Sequence, residues 1–297
     1  MKNILISALL GLGLLVNSAA QAEEITIKPD ALTLNAMLSV ANGDITSGPL
    51  VLLLHGTLAH NDMEIIATLQ ELMADEEINS LAPNLSLGID NRHGAYDCET
   101  DHVHKHENAV KELGYWVDWL KAQGVEQILI AGHSRGGGQV AAYSRNADAV
   151  IKGQFLIAPT DTTPADQAAG YAKRYMVALS DKVAEAKALP LDGWMSDKTS
   201  FIYCLRGGKV SAASFLSYYA PQETHNTVQL LQGQSLPTTI VAGSIDKVVA
   251  NLPAQVEAAE LSQVRFELIE DADHYFRDLY ADEVLEYMLE QLDEVMQ

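Results

Sequence analysis

Apolar residues in this chain follow two alternating rhythms. Leu50-Val-Leu-Leu-Leu54 is an unbroken apolar run, the pattern of a strand covered on both faces. Behind it, Ile65, Ile66, Leu69, Leu72 and Met73 recur at helical spacing. The pair of patterns then repeats. Ile78–Ala82 reads as a strand closed by Pro83, and Val110, Leu113, Trp116, Val117 and Leu120 mark one face of a helix. Strand-like runs follow at Gln127–Ala131, Gln154–Ala158, Thr238–Ala242 and Val264–Ile269, and Val284–Met296 closes the chain as a helix. Glu24–Lys28 and Leu32–Ser39 add two short strands at the front, with a turn at Asn42-Gly43-Asp44. Strands alternating with helices predict a mainly parallel sheet covered on both faces.

The alternation breaks once. From about 160 to 236 the pattern is mostly helical: Pro164–Lys187, Ala212–Tyr219 and Thr227–Gln232. This reads as a helical lid (161–236) inserted in a core of 23–160 and 237–297. Most of its aromatic residues are expected to form its own core.

Composition adds three limits. The chain has 297 residues, 48% hydrophobic, with a formal charge of −21. That allows one large core plus an insertion. The charge disfavours nucleic acid, anionic membranes and polyanionic substrates. At the N-terminus, Lys2, the apolar run Ile4–Val16 and Ala20-Gln21-Ala22 have the form of a cleaved export signal over residues 1–22. Periplasmic or secreted localisation is expected, with no lasting membrane anchor.

The chemistry centres on Gly132-His133-Ser134-Arg135-Gly136, between a strand-like run and a helix-like run, Gln139-Val-Ala-Ala-Tyr143. Glycine two positions either side of the serine suits a sharp turn that holds the hydroxyl out at the end of a sheet. The pattern alone is weak, since about one random chain in ten of this length contains it. Serine needs a base, an orienting acid and an oxyanion hole. His274, after the last strand in Asp271-Ala-Asp-His-Tyr-Phe276, is the candidate base. Asp246, after Thr238–Ala242, is the candidate acid, with Asp161 as its rival. The amides of Thr57, in His55-Gly56-Thr57, and of Arg135 are the candidate oxyanion donors.

Serine, acid and base in this order, each behind a strand, resemble the α/β-hydrolase superfamily over nearly all of the chain beyond the signal. The resemblance implies an α/β-hydrolase fold: a mostly parallel eight-stranded sheet, helices on both faces and the helical lid after the sixth strand. It implies acyl-enzyme chemistry in which Ser134 attacks, His274 relays the proton and Asp246 orients the imidazolium, with no cofactor. The expected substrate is a small or medium neutral ester. Lipase, thioesterase, peptidase, acyltransferase and perhydrolase activities use the same machinery, and an inactive fold used for binding is a further alternative. In this fold Cys98 and Cys204 both rise at the same end of the sheet, so one disulfide between loop and lid is possible, against two free thiols. His102, His104 and His106 alternate as some metal ligands do. They precede a helix, where a spacing of two diverges, so polar residues leading into that helix and touching the lid are expected instead of a metal site.

Overall fold

The hydrophobic runs set the order of the sheet. In the computed structural model, which describes residues 22–296 except 197–198, 206 and 221–224, eight strands form one sheet. They are β1 (Glu23–Ile27), β2 (Leu34–Ser39), β3 (Leu50–Leu54), β4 (Asn79–Asn84), β5 (Ile128–His133), β6 (Ile151–Ile157), β7 (Thr238–Gly243) and β8 (Val264–Ile269). Their spatial order is β1-β2-β4-β3-β5-β6-β7-β8. The unbroken apolar strands β3 and β5 lie side by side at the centre, with every residue buried. From β4 to β8 all pairings are parallel, and β2 is antiparallel to both β1 and β4. The expected eight-stranded, mostly parallel sheet is therefore present. The expected export signal lies outside the described residues but for Ala22.

Helices close the sheet's faces. α1 (Glu64–Asp75) packs on α9 (Leu279–Val295), while α2 (Asn108–Ala122) packs on α3 (Arg135–Ser144), which lies against β5 and β6. Between β6 and β7 come α4 (Pro164–Tyr175), α5 (Leu179–Lys187), α6 (Ala212–Tyr219) and α7 (Thr227–Leu231); α8 (Leu252–Ala259) follows β7.

The departures from the sequence pattern have physical reasons. Pro83 continues β4 where it was expected to close it. Beyond Leu81 that strand pairs only with β2, so its missing donor costs nothing on the β3 side. The helix expected over Pro164–Lys187 is two, because Met176 takes a left-handed conformation (φ 57°) that ends α4. The closing helix starts at Leu279, earlier than Val284. α8 was not anticipated, since its two buried residues, Leu252 and Val256, are too few to give a period.

The segment between β6 and β7 divides by packing. Tyr171, Met195, Phe201, Val210 and Phe215 share a hydrophobic cluster of their own over α4–α6. α7 instead sends Val228, Leu230 and Leu231 into the main core and rests on α3. A bridge between Cys98 and Cys204, with Cα atoms 5.5 Å apart, ties the smaller cluster to the β4–α2 loop.

Candidate active site

Ser134 sits between β5 and α3 with φ 55° and ψ −122°, a conformation that non-glycine residues rarely hold. The two flanking glycines permit it. A Cβ on Gly132 would lie 2.6 Å from the Gly136 carbonyl carbon, and one on Gly136 would lie 2.7 Å from the Leu54 oxygen. Both spaces are filled by backbone, so any side chain would push the turn open. The Ser134 amide donates to Ile157 O of β6 (2.8 Å), which fixes the turn to the neighbouring strand.

Three side chains from three loops meet there. His274 Nε2 is 2.9 Å from Ser134 Oγ, and His274 Nδ1 is 2.7 Å from Asp246 Oδ2. All three residues are buried. Burial would raise the Asp246 carboxyl, but the His274 hydrogen bond and charge, with the amides of Val249 and Val248, outweigh it and hold the carboxyl below its ordinary range. Asp246 Oδ1 accepts those two amides at 3.1 and 2.6 Å, so the carboxylate is fixed by its own turn before it meets the histidine. The rival Asp161 does not join this group. Its Oδ2 accepts the Asn251 amide at 3.0 Å, which anchors the loop into α8, and burial pushes its carboxyl up.

The loop after β3 approaches the serine from the other side. A Cβ on Gly56 would be 3.3 Å from Ser134 Cβ, so glycine lets Thr57 come close. Arg135 is the first residue of α3, where amides have no acceptor within the helix. Thr57 lines the cleft that holds Ser134, and the Arg135 side chain ties the two elements together through Nε to Thr57 Oγ1 (3.0 Å).

Sequence patterns did not reveal what holds this loop. His55 Nδ1 donates to Gly56 O (2.9 Å) and its Nε2 accepts the Leu85 amide (3.1 Å). The buried Arg92 guanidinium donates to Leu85 O (2.6 Å), Asn84 Oδ1 (2.6 Å) and Ala59 O (2.9 Å). Burial, then the Arg92 charge, drives His55 down to about 3, so it serves as a neutral strut. His133 is another support. Its Nε2 donates to the His274 carbonyl (2.8 Å), and burial takes it down to about 4. Nothing in a single sequence distinguishes such supports from other polar loop residues.

His102, His104 and His106 lead into α2, which begins at Asn108 with Glu107 before it. His102 is bridged to Val210, and the segment around it is laced to the β6–β7 insertion. The His102 amide donates to Lys209 O (2.7 Å), and His102 O accepts from Ser211 (3.0 Å). His104 Nδ1 lies 2.9 Å from the Tyr218 hydroxyl, and the His106 ring is 4.8 Å from that of His225. All four histidines are buried, and burial depresses each of them. The three alternating histidines thus touch the insertion, and among the described residues no group of three or more His, Cys, Asp or Glu is arranged to hold a metal.

The serine opens into a cleft of about 520 Å³, walled by Thr57, Met63, Tyr203, Val248 and Tyr275. Tyr203 comes from the insertion. It and Ile202 form a tight turn with φ 68° and 38°, closed by paired backbone bonds between Phe201 and Cys204 (2.9 and 2.8 Å). The hydroxyls of Tyr219 and Tyr175 accept the two turn amides, each at 3.0 Å.

Residues 51–287 match the alpha/beta hydrolase family. No curated protein matches the sequence. Among solved structures, the chain is similar to Est1E from Butyrivibrio proteoclasticus, with TM-score 0.64, 20% identity, and 91% of this chain and 99% of that one covered. Est1E has also been solved with ferulic acid bound. The esterase Pf2001 from Pyrococcus furiosus has TM-score 0.60, 17% identity and 94% of each chain covered. GrgF from Penicillium sp. sh18, an alpha/beta hydrolase, has TM-score 0.64, 15% identity, and 93% of this chain and 99% of that one covered.

Proposed function

The chain belongs to the alpha/beta hydrolase family, and on that premise we propose that it is an exported serine hydrolase that cleaves small or medium carboxylic esters through an acyl-enzyme on Ser134. The observation that carries this reading is the hydrogen-bonded chain Asp246–His274–Ser134, of which Ser134 and His274 line the cleft. His274 takes the Ser134 proton as Oγ attacks the ester carbonyl, and returns it to the leaving alcohol. Asp246 keeps Nδ1 protonated and stabilises the imidazolium. The amides of Thr57 and Arg135 receive the negative charge of the tetrahedral intermediate. Water then repeats the sequence on the acyl-enzyme and releases the acid.

The α4–α6 cluster acts as a lid whose Tyr203 meets the substrate. The signal-like segment at 1–22 and the bridged cysteines support an oxidising, extracytoplasmic site of action. Among the described residues no helix is long and apolar enough to cross a membrane. The net charge of −21 disfavours polyanionic substrates. Ferulic acid, which Est1E binds, gives one aromatic acyl group to include in a substrate panel.

The test is a fluorophosphonate probe with purified protein. Ser134 becomes labelled, and Ser134→Ala loses both labelling and ester turnover. Retained turnover in the alanine variant refutes the mechanism.

A further inference from the structure

A second cavity of about 340 Å³ adjoins the serine cleft, and Arg174, Tyr203, Lys247 and Val248 border both. Arg135, the residue after the nucleophile, also lines it. The chain carries 19 Lys and Arg against 40 Asp and Glu, so three cations around one cavity run against its overall charge. None of the three forms a salt bridge with a described carboxylate. Arg174 lies over the Tyr203 ring, 4.2 Å from its centroid, and Arg135 is held through Nε by Thr57 and lies 5.4 Å from the Tyr218 ring centroid. These contacts fix the guanidinium planes and leave terminal N–H groups to donate.

Two carboxylates share the cavity with the three cations, leaving an excess of one positive charge, and each accepts a hydrogen bond at one oxygen. Asp161 accepts the Asn251 amide (3.0 Å), and Asp166 accepts the Thr163 hydroxyl (2.6 Å) at the start of α4. Of the cavity's tyrosine hydroxyls, Tyr171 donates to Ser200 O and Tyr218 pairs with His104, while Tyr219 and Tyr175 accept the amides of Ile202 and Tyr203 and keep their own protons to donate. The three cations thus share the space with neutral hydroxyl donors, which can add to the grip on an anion.

We propose that this second cavity is an anion subsite, in which Arg135, Arg174 and Lys247 hold a carboxylate carried by the substrate away from the scissile bond. The favoured substrates are then monoanionic half-esters, with the ester over Ser134 and the chain crossing Tyr203 and Val248. This rests on the serine hydrolase reading for its turnover, but not for its binding. It departs from the neutral ester expected from net charge, because local cations set the potential that a bound group meets. Arginine suits the role, since its planar fork can grip a carboxylate with two parallel bonds.

The test separates binding from catalysis. In Ser134→Ala protein, monomethyl esters of glutaric, adipic and suberic acid are compared with the dimethyl esters by calorimetry. The best half-ester binds about tenfold or more tightly than its diester at low ionic strength, an energy within reach of charge-assisted hydrogen bonds. The gap narrows as salt is raised and collapses when Arg174→Gln and Lys247→Gln are added. In the enzyme with Ser134 intact, the ratio of kcat/KM values follows the same order. Equal binding of half-ester and diester, no measurable binding of any half-ester, or a gap that survives both substitutions overturns the proposal. Selective half-ester binding in a protein that neither labels at Ser134 nor turns over esters instead defeats the hydrolase reading and leaves the anion subsite standing.

Discussion

Opening the Cys98–Cys204 bridge should weaken the whole molecule and reach the cleft before the fold is lost. The cysteines are 106 residues apart in sequence. For a loop of that length the chain-entropy relation gives about 4.7 kcal/mol, and native bridges removed from secreted domains cost about 2–5 kcal/mol. Domains are stable by about 5–15 kcal/mol, so the loss is a large fraction of the total. Neighbouring backbone bonds do not replace the covalent tie. Gly208 donates to Cys98 O (2.8 Å) and Lys209 to Asp101 Oδ1 (2.7 Å), but both can open with the unfolding segment. Cys204 also ends the turn that holds Ile202 and Tyr203 at positive φ, where a β-branched isoleucine is strained. Without the bridge that turn can relax, and Tyr203 leaves the wall of the cleft. The assay is urea denaturation followed by circular dichroism, with and without reductant, and with the Cys98→Ser/Cys204→Ser variant. Probe labelling of Ser134 is measured in parallel at low urea. We expect a stability loss of about 2–5 kcal/mol with labelling falling at lower urea than ellipticity. A loss below about 1 kcal/mol with an unchanged denaturant slope would refute the reasoning.

Acid should destabilise the contact between the β4–α2 loop and the insertion. His102, His104 and His225 are pushed by burial to about 4, 3 and 4, and His106 also falls well below its ordinary value. The unfolded chain binds these protons first, so stability is complete above pH 6.5, falls progressively below it, and its loss is complete once pH has passed 4 towards 3. Each unit of depression is worth about 1.4 kcal/mol, and urea midpoints that stay level between neutral pH and pH 4 would contradict this. Gly136→Ala should lose probe labelling and at least about 1–3 kcal/mol of stability, as overpacked sites do. Gly170→Ala, where nothing lies within 4 Å of the added Cβ inside α4, should gain about 0.5–1 kcal/mol; thermal melts read both. Asp246→Asn should lower kcat about a thousandfold or more, as loss of the orienting carboxylate does, while Asp161→Asn leaves kcat nearly intact. A larger loss from the Asp161 variant would reverse the assignment of the acid.

What the sequence made legible follows from periodicity and order. β3 was bounded to the residue because its apolar run is unbroken, and β8 because Val264, Phe266 and Leu268 alternate with charged residues up to Ile269. Ser134, Asp246 and His274 could be chosen because each must follow a strand in a parallel sheet, and the structure brings these three together. What stayed hidden depends on contacts between distant segments. His102 pairs with Lys209 and Ser211, more than a hundred residues away. Arg92 braces the loop after β3 through partners at 59, 84 and 85, and no local pattern encodes that. α7 was grouped with the insertion because it lies within it in sequence, yet its apolar residues face the main core.

The two ends of the sheet carry a consequence of their own. Among the described residues β1 pairs only with β2, and β8 only with β7, so each leaves a row of backbone donors and acceptors without a described strand partner. Such edges invite another chain to add on. Here β1 opens with exposed Glu23 and Glu24, so a chain adding at that edge meets two carboxylates. On β8, Arg265 is tied to Glu267 (3.3 Å) on its own strand and to Glu290 (2.9 Å) on α9. Charge at both margins works against fibrous aggregation, a defence that concentrated salt would screen.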